Sequence, residues 1–102
     1  MAEFVKVLRV SEINPGELRL VEAGGEQICL ANVDGKIYAI NDACTHVGGY
    51  LDEGELEGQV VTCPLHGSEF DVTTGKVLRG PAREDIATYE VKIEGDDIYV
   101  AV

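Results

Sequence analysis

CTHVGGYLDEGELEGQVVTCPLHGS, residues 44–68, begins with Cys44-Thr45-His46 and closes on Cys63-Pro64-Leu65-His66-Gly67-Ser68. Sixteen residues, 47–62, separate the two segments. The chain of 102 residues contains no other histidine and only one other cysteine. Thiolate and imidazole groups bind zinc, copper and iron–sulfur centres. The stretch therefore predicts a metal site that is built from two paired loops and organises the chain around it.

Several kinds of site use these residue types. Structural zinc sites of Cys2His2 type usually place two cysteines at one end and two histidines at the other, whereas here each segment is mixed. Blue copper takes one cysteine, and a nucleophilic Cys–His pair would leave the second pair without a purpose. A two-iron centre suits the mixed pairs, with both cysteines on one iron and both histidines on the other. A single zinc ion could also accept them.

The residues beside the candidate ligands favour a metal cage. Glycines let the backbone approach closely and turn sharply, which points N–H groups towards anionic sulfur. A proline stiffens the second loop, and apolar side chains shield the site from water. The glycines are Gly48, Gly49 and Gly67, the proline is Pro64, and the apolar residues are Val47 and Leu65.

Short apolar runs between turn residues predict an all-β fold. Asp34-Gly35, between two apolar runs, is the strongest hairpin signal, and Gly24-Gly25 marks another hairpin. Residues 86–94 alternate apolar with polar and predict one strand. Nine or ten such strands, with no amphipathic helical pattern, predict a small antiparallel β sandwich or barrel. Within one domain spanning residues 1–102, the chain from about 42 to 83 forms an inserted subdomain that carries both ligand loops.

Composition limits the function. The chain is 45% apolar and 26% charged, as in an ordinary globular domain, and its net charge is −11, from 8 basic and 19 acidic residues. Nucleic acid and anionic membranes are poor partners for such a chain, because phosphate binding needs clustered Lys and Arg. The acidic surface either steers basic partners towards the protein or serves solubility alone.

Cysteine count and hydropathy suggest the compartment. Three cysteines argue against a disulfide framework and favour metal ligation in a reducing compartment. Cys29 lies in a predicted strand far from the loops and is expected to be a buried core residue. No basic leader and no run of about eighteen apolar residues is present, so we expect a cytoplasmic protein, and we expect a monomer.

The two ligand segments resemble the Rieske iron–sulfur motif, Cys-x-His followed by Cys-x-x-His. Phe70-Asp71 and Thr74-Gly75 look like the continuation of that family, and Gly80-Pro81 resembles its proline loop. The resemblance implies a Rieske fold and one [2Fe-2S] cluster. By the same resemblance, the inner iron is bound by Cys44 and Cys63, and the outer iron by His46 and His66, whose exposed edges give the electron its exit.

Departures from the motif indicate the class of Rieske protein. Respiratory and photosynthetic members carry a disulfide between the loops, and Gly49 and Leu65 occupy those two positions here. Ser68 stands at the position of a serine that bonds to sulfur, but Phe70 replaces a tyrosine that does the same. Hydrogen bonds to the sulfurs raise the potential, so we expect one in the lower part of the roughly −150 to +300 mV Rieske range.

The remaining pattern resembles the soluble Rieske ferredoxins of bacterial aromatic-ring dioxygenase systems. That resemblance implies an electron carrier between a flavin-dependent NAD(P)H reductase and a terminal oxygenase. The chain has no dinucleotide fingerprint and no mononuclear iron triad, so we expect it not to be an enzyme. Two alternatives stay open: a small subunit of assimilatory nitrite reductase, and a structural zinc module for protein interaction.

Overall fold

The structure, a computed structural model, describes residues 3–45 and 49–102 and confirms the all-β prediction. Two short 3₁₀ helices, Val10–Glu12 and Leu51–Glu53, are the only helical segments in these ranges, and none could cross a membrane. The described strands are β1 Phe4–Arg9, β2 Leu18–Ala23, β3 Glu26–Val33, β4 Lys36–Asn41, β5 Glu55–Glu57, β6 Val60–Thr62, β7 Glu69–Asp71, β8 Val77–Arg79, β9 Thr88–Tyr89, β10 Val91–Glu94 and β11 Asp97–Ala101.

The strands form three antiparallel sheets. Two of them make a scaffold, with strand orders β1-β11-β10 and β2-β3-β4-β9. The third sheet, β5-β6-β7-β8, lies between β4 and β9 in the sequence. The chain leaves the scaffold after Asn41 and returns at Thr88, which pairs with Ile40 of β4. The third sheet and both ligand loops are thus carried by one excursion from a scaffold edge.

Strands β3 and β4 are buried on both faces, because each lies between two cores. Residues 28–32 are all buried, and alternate side chains point to opposite sides of a strand. One face packs into the scaffold core, whose buried residues are Ile13, Val21, Ala23, Ile28, Leu30, Ile37, Ala39, Ile98 and Val100. The other face contributes to a second core, the site core: Cys29, Ala31, Ile40, Cys44, Leu51, Val61, Cys63, Phe70, Val72, Ala82 and Ile86.

Turn chemistry follows the sequence closely. Asp34 and Gly35 both have positive φ, 52° and 95°, which a two-residue hairpin turn of this hand requires. Gly24 and Gly25 likewise have φ of 58° and 79°. The sequence missed a third hairpin, in which Gly58, with φ of 60°, separates β5 from β6.

The prediction of one strand over residues 86–94 is wrong. This stretch contains β9, which pairs with β4, and β10, which pairs with β11 in the other scaffold sheet. The carbonyl of Glu90, between them, accepts the backbone N–H of Ala101. The alternation of apolar and polar residues continues from β9 into β10 because both strands are extended. The pattern alone therefore cannot reveal that the chain passes from one sheet to the other.

Candidate metal centre

Both ligand segments lie at the tips of hairpin-like loops that close in the same way. The backbone N–H of Cys44 donates to the carbonyl of Gly49, and that of Cys63 to the carbonyl of Ser68, each at 2.8 Å. Antiparallel pairing seals the base of each loop, through Ala43↔Tyr50 and Thr62↔Glu69. The mirrored ligand pairs of the sequence thus correspond to mirrored loops, each with its cysteine at the start.

The structure brings Cys44 and Cys63 together in the site core. Only 4% and 1% of their surfaces are exposed, and their thiols are close enough to interact electrostatically. Burial raises the pKa of the Cys63 thiol, the neighbouring Cys44 adds to the rise, and a hydrogen bond from the backbone N–H of Leu65 opposes it. The buried Cys63 sulfur therefore needs a positive partner to become a thiolate, which a bound metal supplies.

Gly49 forms a wall of this cysteine pair. A Cβ atom on Gly49 would lie 2.9 Å from Sγ of Cys63 and 3.2 Å from the side chain of Leu65. Its φ is not in the left-handed region, so space and not backbone freedom demands glycine here. Gly49 and Leu65, the two positions that the resemblance equates with a disulfide, are indeed neighbours.

His66 lies on the same loop as Cys63 and is exposed. His66 and Gly67 have φ of 68° and 77°, so the loop turns back through two successive left-handed residues. His46 falls outside the described residues. In residues 3–45 and 49–102, no three His, Cys, Asp or Glu side chains converge on one point, so the described part of the site is the cysteine pair with His66 beside it.

A third segment, residues 80–84, is bonded to both ligand loops. The N–H of Ala82 donates to the hydroxyl of Ser68 at 3.0 Å, and the hydroxyl of Thr45 donates to the carbonyl of Glu84 at 2.8 Å. The Gly80–Pro81 peptide in this segment is cis. The sequence pointed to a proline loop here but gave no role to Thr45. The position of its hydroxyl between two candidate ligands was the signal that could have indicated this role.

Asp42 holds the first loop from beneath. Its side chain is fully buried, and Oδ1 accepts the backbone N–H of Asp52 at 2.8 Å. No donor in the described part of the chain reaches Oδ2. Burial, followed by the neighbouring Asp52 side chain, raises the pKa of Asp42 to about 6. Sequence reasoning missed this residue, because a lone aspartate before a loop carries no periodic signal.

Cys29 lies behind the loops and is fully buried in the site core, which confirms its prediction as a core residue. Burial, with Asp42 and Asp52 nearby, raises the pKa of the Cys29 thiol. A thiol in this environment stays protonated and is a poor ligand.

The described residues fit an iron–sulfur group. Two buried thiols lie near each other, the backbone N–H of Leu65 lies near the Cys63 sulfur, and Gly49 leaves room beside it. The buried Ser68 hydroxyl accepts one hydrogen bond and keeps its own proton to donate. Thiolate ligands with nearby donors are the environment in which iron–sulfur clusters are held.

Comparison with known proteins agrees with this chemistry. Residues 3–90 match the family described as Rieske [2Fe-2S] domain. The ferredoxin component of the naphthalene 1,2-dioxygenase system of Pseudomonas aeruginosa is 38% identical over 98 residues, 96% of this chain and 94% of that protein. A solved complex of oxygenase and ferredoxin in carbazole 1,9a-dioxygenase contains a chain with a TM-score of 0.92 and 35% identity, covering 96% of this chain and 92% of that one.

A nitrite reductase small subunit from Mycobacterium tuberculosis shares the fold, with a TM-score of 0.89 over all of this chain and 96% of its own. Its identity of 21% indicates similarity of fold alone. With the match over residues 3–90, this chain belongs to the Rieske [2Fe-2S] domain family.

Proposed function

We propose that this protein is an electron carrier that takes single electrons from a flavin-dependent NAD(P)H reductase and passes them to the terminal oxygenase of an aromatic-ring dioxygenase system. The observation that carries the proposal is the arrangement of the second ligand loop. Cys63 is buried at its start, whereas His66 and Leu65 are exposed at its tip. Such a loop links a buried redox group to the surface over three residues.

Similarity to ferredoxin components along nearly the whole chain supports this role, as does similarity to a ferredoxin solved together with its oxygenase. The cofactor is a Rieske-type [2Fe-2S] cluster. When bound, it supplies reversible one-electron chemistry at a potential raised by its histidine ligands. The protein is therefore a component of a redox system and not itself the catalyst.

In this proposal the ligands are Cys44, His46, Cys63 and His66. The two cysteines hold the buried side, and the histidines form the side from which electrons leave. The whole chain, residues 1–102, acts as one domain with a cluster-binding subdomain at about 42–83. We place it in the cytoplasm, as a monomer, in agreement with its charge and cysteine content.

Metal analysis and single-electron kinetics test the proposal. The purified protein should contain two irons and two acid-labile sulfides, be reduced by the flavoprotein reductase of the naphthalene 1,2-dioxygenase system, and be reoxidised by its oxygenase. A colourless protein with one zinc ion, or a cluster that exchanges electrons with neither component, would refute it.

Substitutions test the ligand set separately. Cys44→Ser and His66→Ala should abolish the visible spectrum and the iron content. Cys29→Ala is the matched control, because it removes the one remaining cysteine from the same core. Loss of the spectrum in the Cys29 variant with a native fold would overturn the assignment.

A further inference from the structure

Four directly paired residues cross the sheet beside the second ligand loop. Glu55 pairs with Thr62, Thr62 with Glu69, and Glu69 with Arg79. Residues directly opposite each other in antiparallel strands share a face, and Thr62 and Glu69 immediately flank the loop from Cys63 to Ser68. Strands lie about 4.8 Å apart, so Glu55 and Arg79 stand roughly 14 Å apart at opposite edges of this row.

The β5 edge of the row is acidic and adjoins the candidate centre. Glu53 and Glu55 are exposed, and both line a surface pocket with Cys63 and Pro64. Glu57 lies two residues beyond Glu55, on the same face of β5. Residues 42–75 contain no Lys or Arg, and the basic residue that lines a pocket with Glu55 is Arg19 of the scaffold.

The β8 edge is the basic edge: a β-bulge gives it an exposed arginine, and the Asp85 carboxylate beside it accepts the backbone N–H of Val77. Phe70 pairs with Val77, but Glu69 pairs with Arg79, so that Leu78 is an extra residue. Without the bulge, Leu78 would face Glu69 and Arg79 would point to the other side of the sheet. The bulge thus brings an arginine into the row, and 73% of its side chain is exposed.

Arg79 is only weakly engaged within the chain. Its guanidinium lies 4.0 Å from the Glu69 carboxylate, and an exposed pair at that distance contributes little to stability. Most of its hydrogen-bonding capacity therefore faces solvent and is available to a partner.

Arg83 extends the basic edge over the ligand loops. It lies between Ala82, which is bonded to Ser68, and Glu84, which is bonded to Thr45. Arg83 is exposed, and no carboxylate in the described ranges lies within ion-pair distance of it. Three of the eight basic residues of the chain, Lys76, Arg79 and Arg83, fall in residues 76–83, the only part of the subdomain that carries positive charge.

We propose that the acidic edge of Glu53 and Glu55 and the basic edge of Arg79 and Arg83 form a two-signed docking face that fixes the rotation at which the terminal oxygenase binds. The oxygenase would present basic groups to β5 and carboxylates to the two arginines. Charge complementarity sets register and rejects wrong orientations, because like charges that meet across an interface are costly. The inference rests on the proposed function, and the oxygenase is the chosen partner because a ferredoxin of this fold is solved against one.

A charge swap at constant net charge tests the orientation. Glu55→Arg with Arg83→Glu keeps the net charge of the protein at −11 and cancels the net charge of each edge, because Glu53 and Arg79 stay in place. The matched control, Lys36→Glu with Glu94→Lys, swaps two exposed charges at the hairpin end of the scaffold, five residues along β4 from Asn41. The measurements are the dissociation constant and the second-order rate constant for electron transfer to the oxygenase components of the naphthalene and carbazole dioxygenase systems.

At low salt the swap of Glu55 and Arg83 should lower the rate constant about tenfold or more and weaken binding similarly, with the visible spectrum and potential unchanged. At about 0.5 M salt this difference should shrink to roughly twofold, because screening removes it. The control swap should stay within about twofold of wild type at both salt concentrations.

The single variant Arg83→Glu distinguishes recognition by the two-signed face from attraction by the net charge of the protein. It makes the protein more negative, so attraction by net charge alone predicts equal or faster association with a basic partner, whereas the two-signed face predicts slower association. Arg83→Gln should show a smaller loss of the same sign. An Arg83→Glu rate equal to or above wild type would overturn the inference.

Two further outcomes are distinguishable. If the swap slows reduction by the reductase but not transfer to the oxygenase, the inference about the oxygenase is wrong, although the proposed function stands. If wild type itself delivers no electrons to either oxygenase, the proposed function fails, and the inference falls with it.

Discussion

The backbone N–H of Ala82 donates a 3.0 Å hydrogen bond to the buried hydroxyl of Ser68. This bond ties the segment after β8 to the end of the second ligand loop, while Thr45 ties the same segment to the first loop. Ser68 follows the candidate ligand His66, and Thr45 lies between the candidate ligands Cys44 and His46. The cap over the site is thus held by the ligand loops themselves.

Removing the Ser68 hydroxyl should loosen this cap. Ser68→Ala leaves the buried N–H of Ala82 without an acceptor, which costs about 1–3 kcal/mol of unfolding free energy. Chemical denaturation would measure the loss. Ser11→Ala is the control, because it removes an exposed bond to Asp96 and should cost well under 1 kcal/mol. Equal stability of wild type and Ser68→Ala would show that the bond does not hold the cap.

Two glycine substitutions should fail in different ways. Gly49→Ala puts a methyl group against Sγ of Cys63, so iron content should fall. Gly58→Ala meets open space but has φ of 60°, so it should cost about 1 kcal/mol of stability and keep its iron. Iron analysis beside thermal denaturation separates the two effects. Full iron content in Gly49→Ala would contradict the close approach seen here.

Asp71 should give the fold a dependence on acid pH. Burial acts to raise the pKa of Asp71. Hydrogen bonds from Thr73 and Gln59 nevertheless hold this pKa below its ordinary value of 3.8. A lowered folded-state pKa contributes stability above the unfolded value, and that stability is lost as pH falls through the lowered value. Asp71→Asn should therefore be about 1–2 kcal/mol less stable at neutral pH.

The difference between wild type and Asp71→Asn should narrow once the pH falls below 3.8. Denaturant titrations of both proteins across this range would measure it. Glu57→Gln, two strands away in the same sheet, removes the same charge without breaking any hydrogen bond identified in the described residues, and should leave stability nearly unchanged. A difference that does not vary with pH would rule out Asp71 as the source.

The reduction potential should respond to a hydroxyl at residue 70. Phe70 is fully buried in the site core, and the family resemblance places a sulfur-bonding tyrosine at this position in high-potential members. Phe70→Tyr should shift the potential upward, because hydrogen bonds to cluster sulfurs favour the reduced state. Phe4→Tyr adds the same hydroxyl on the scaffold and should leave the potential unchanged. Voltammetry of the three proteins decides the question.

The sequence was sufficient for the local features. Ligand spacing pointed to the two loops, and paired turn residues predicted the hairpins at 24–25 and 34–35, because positive φ strongly selects glycine or aspartate. Alternation predicted extended chain over 86–94 but not its division between two sheets. The burial of Cys29 was predictable from its residue type and its place in a strand.

What the sequence alone determined about this protein is its chemistry: which residue types lie near one another along the chain, and hence the metal class and the family. Only the tertiary structure decided which distant residues meet. Asp42 beneath the first loop, Ala82 on Ser68, Gly49 against Cys63, and Arg79 turned by a bulge into line with Glu55 all depend on strand pairing across 10 to 25 residues of sequence. Such contacts follow from register and sheet order, which local propensity does not encode.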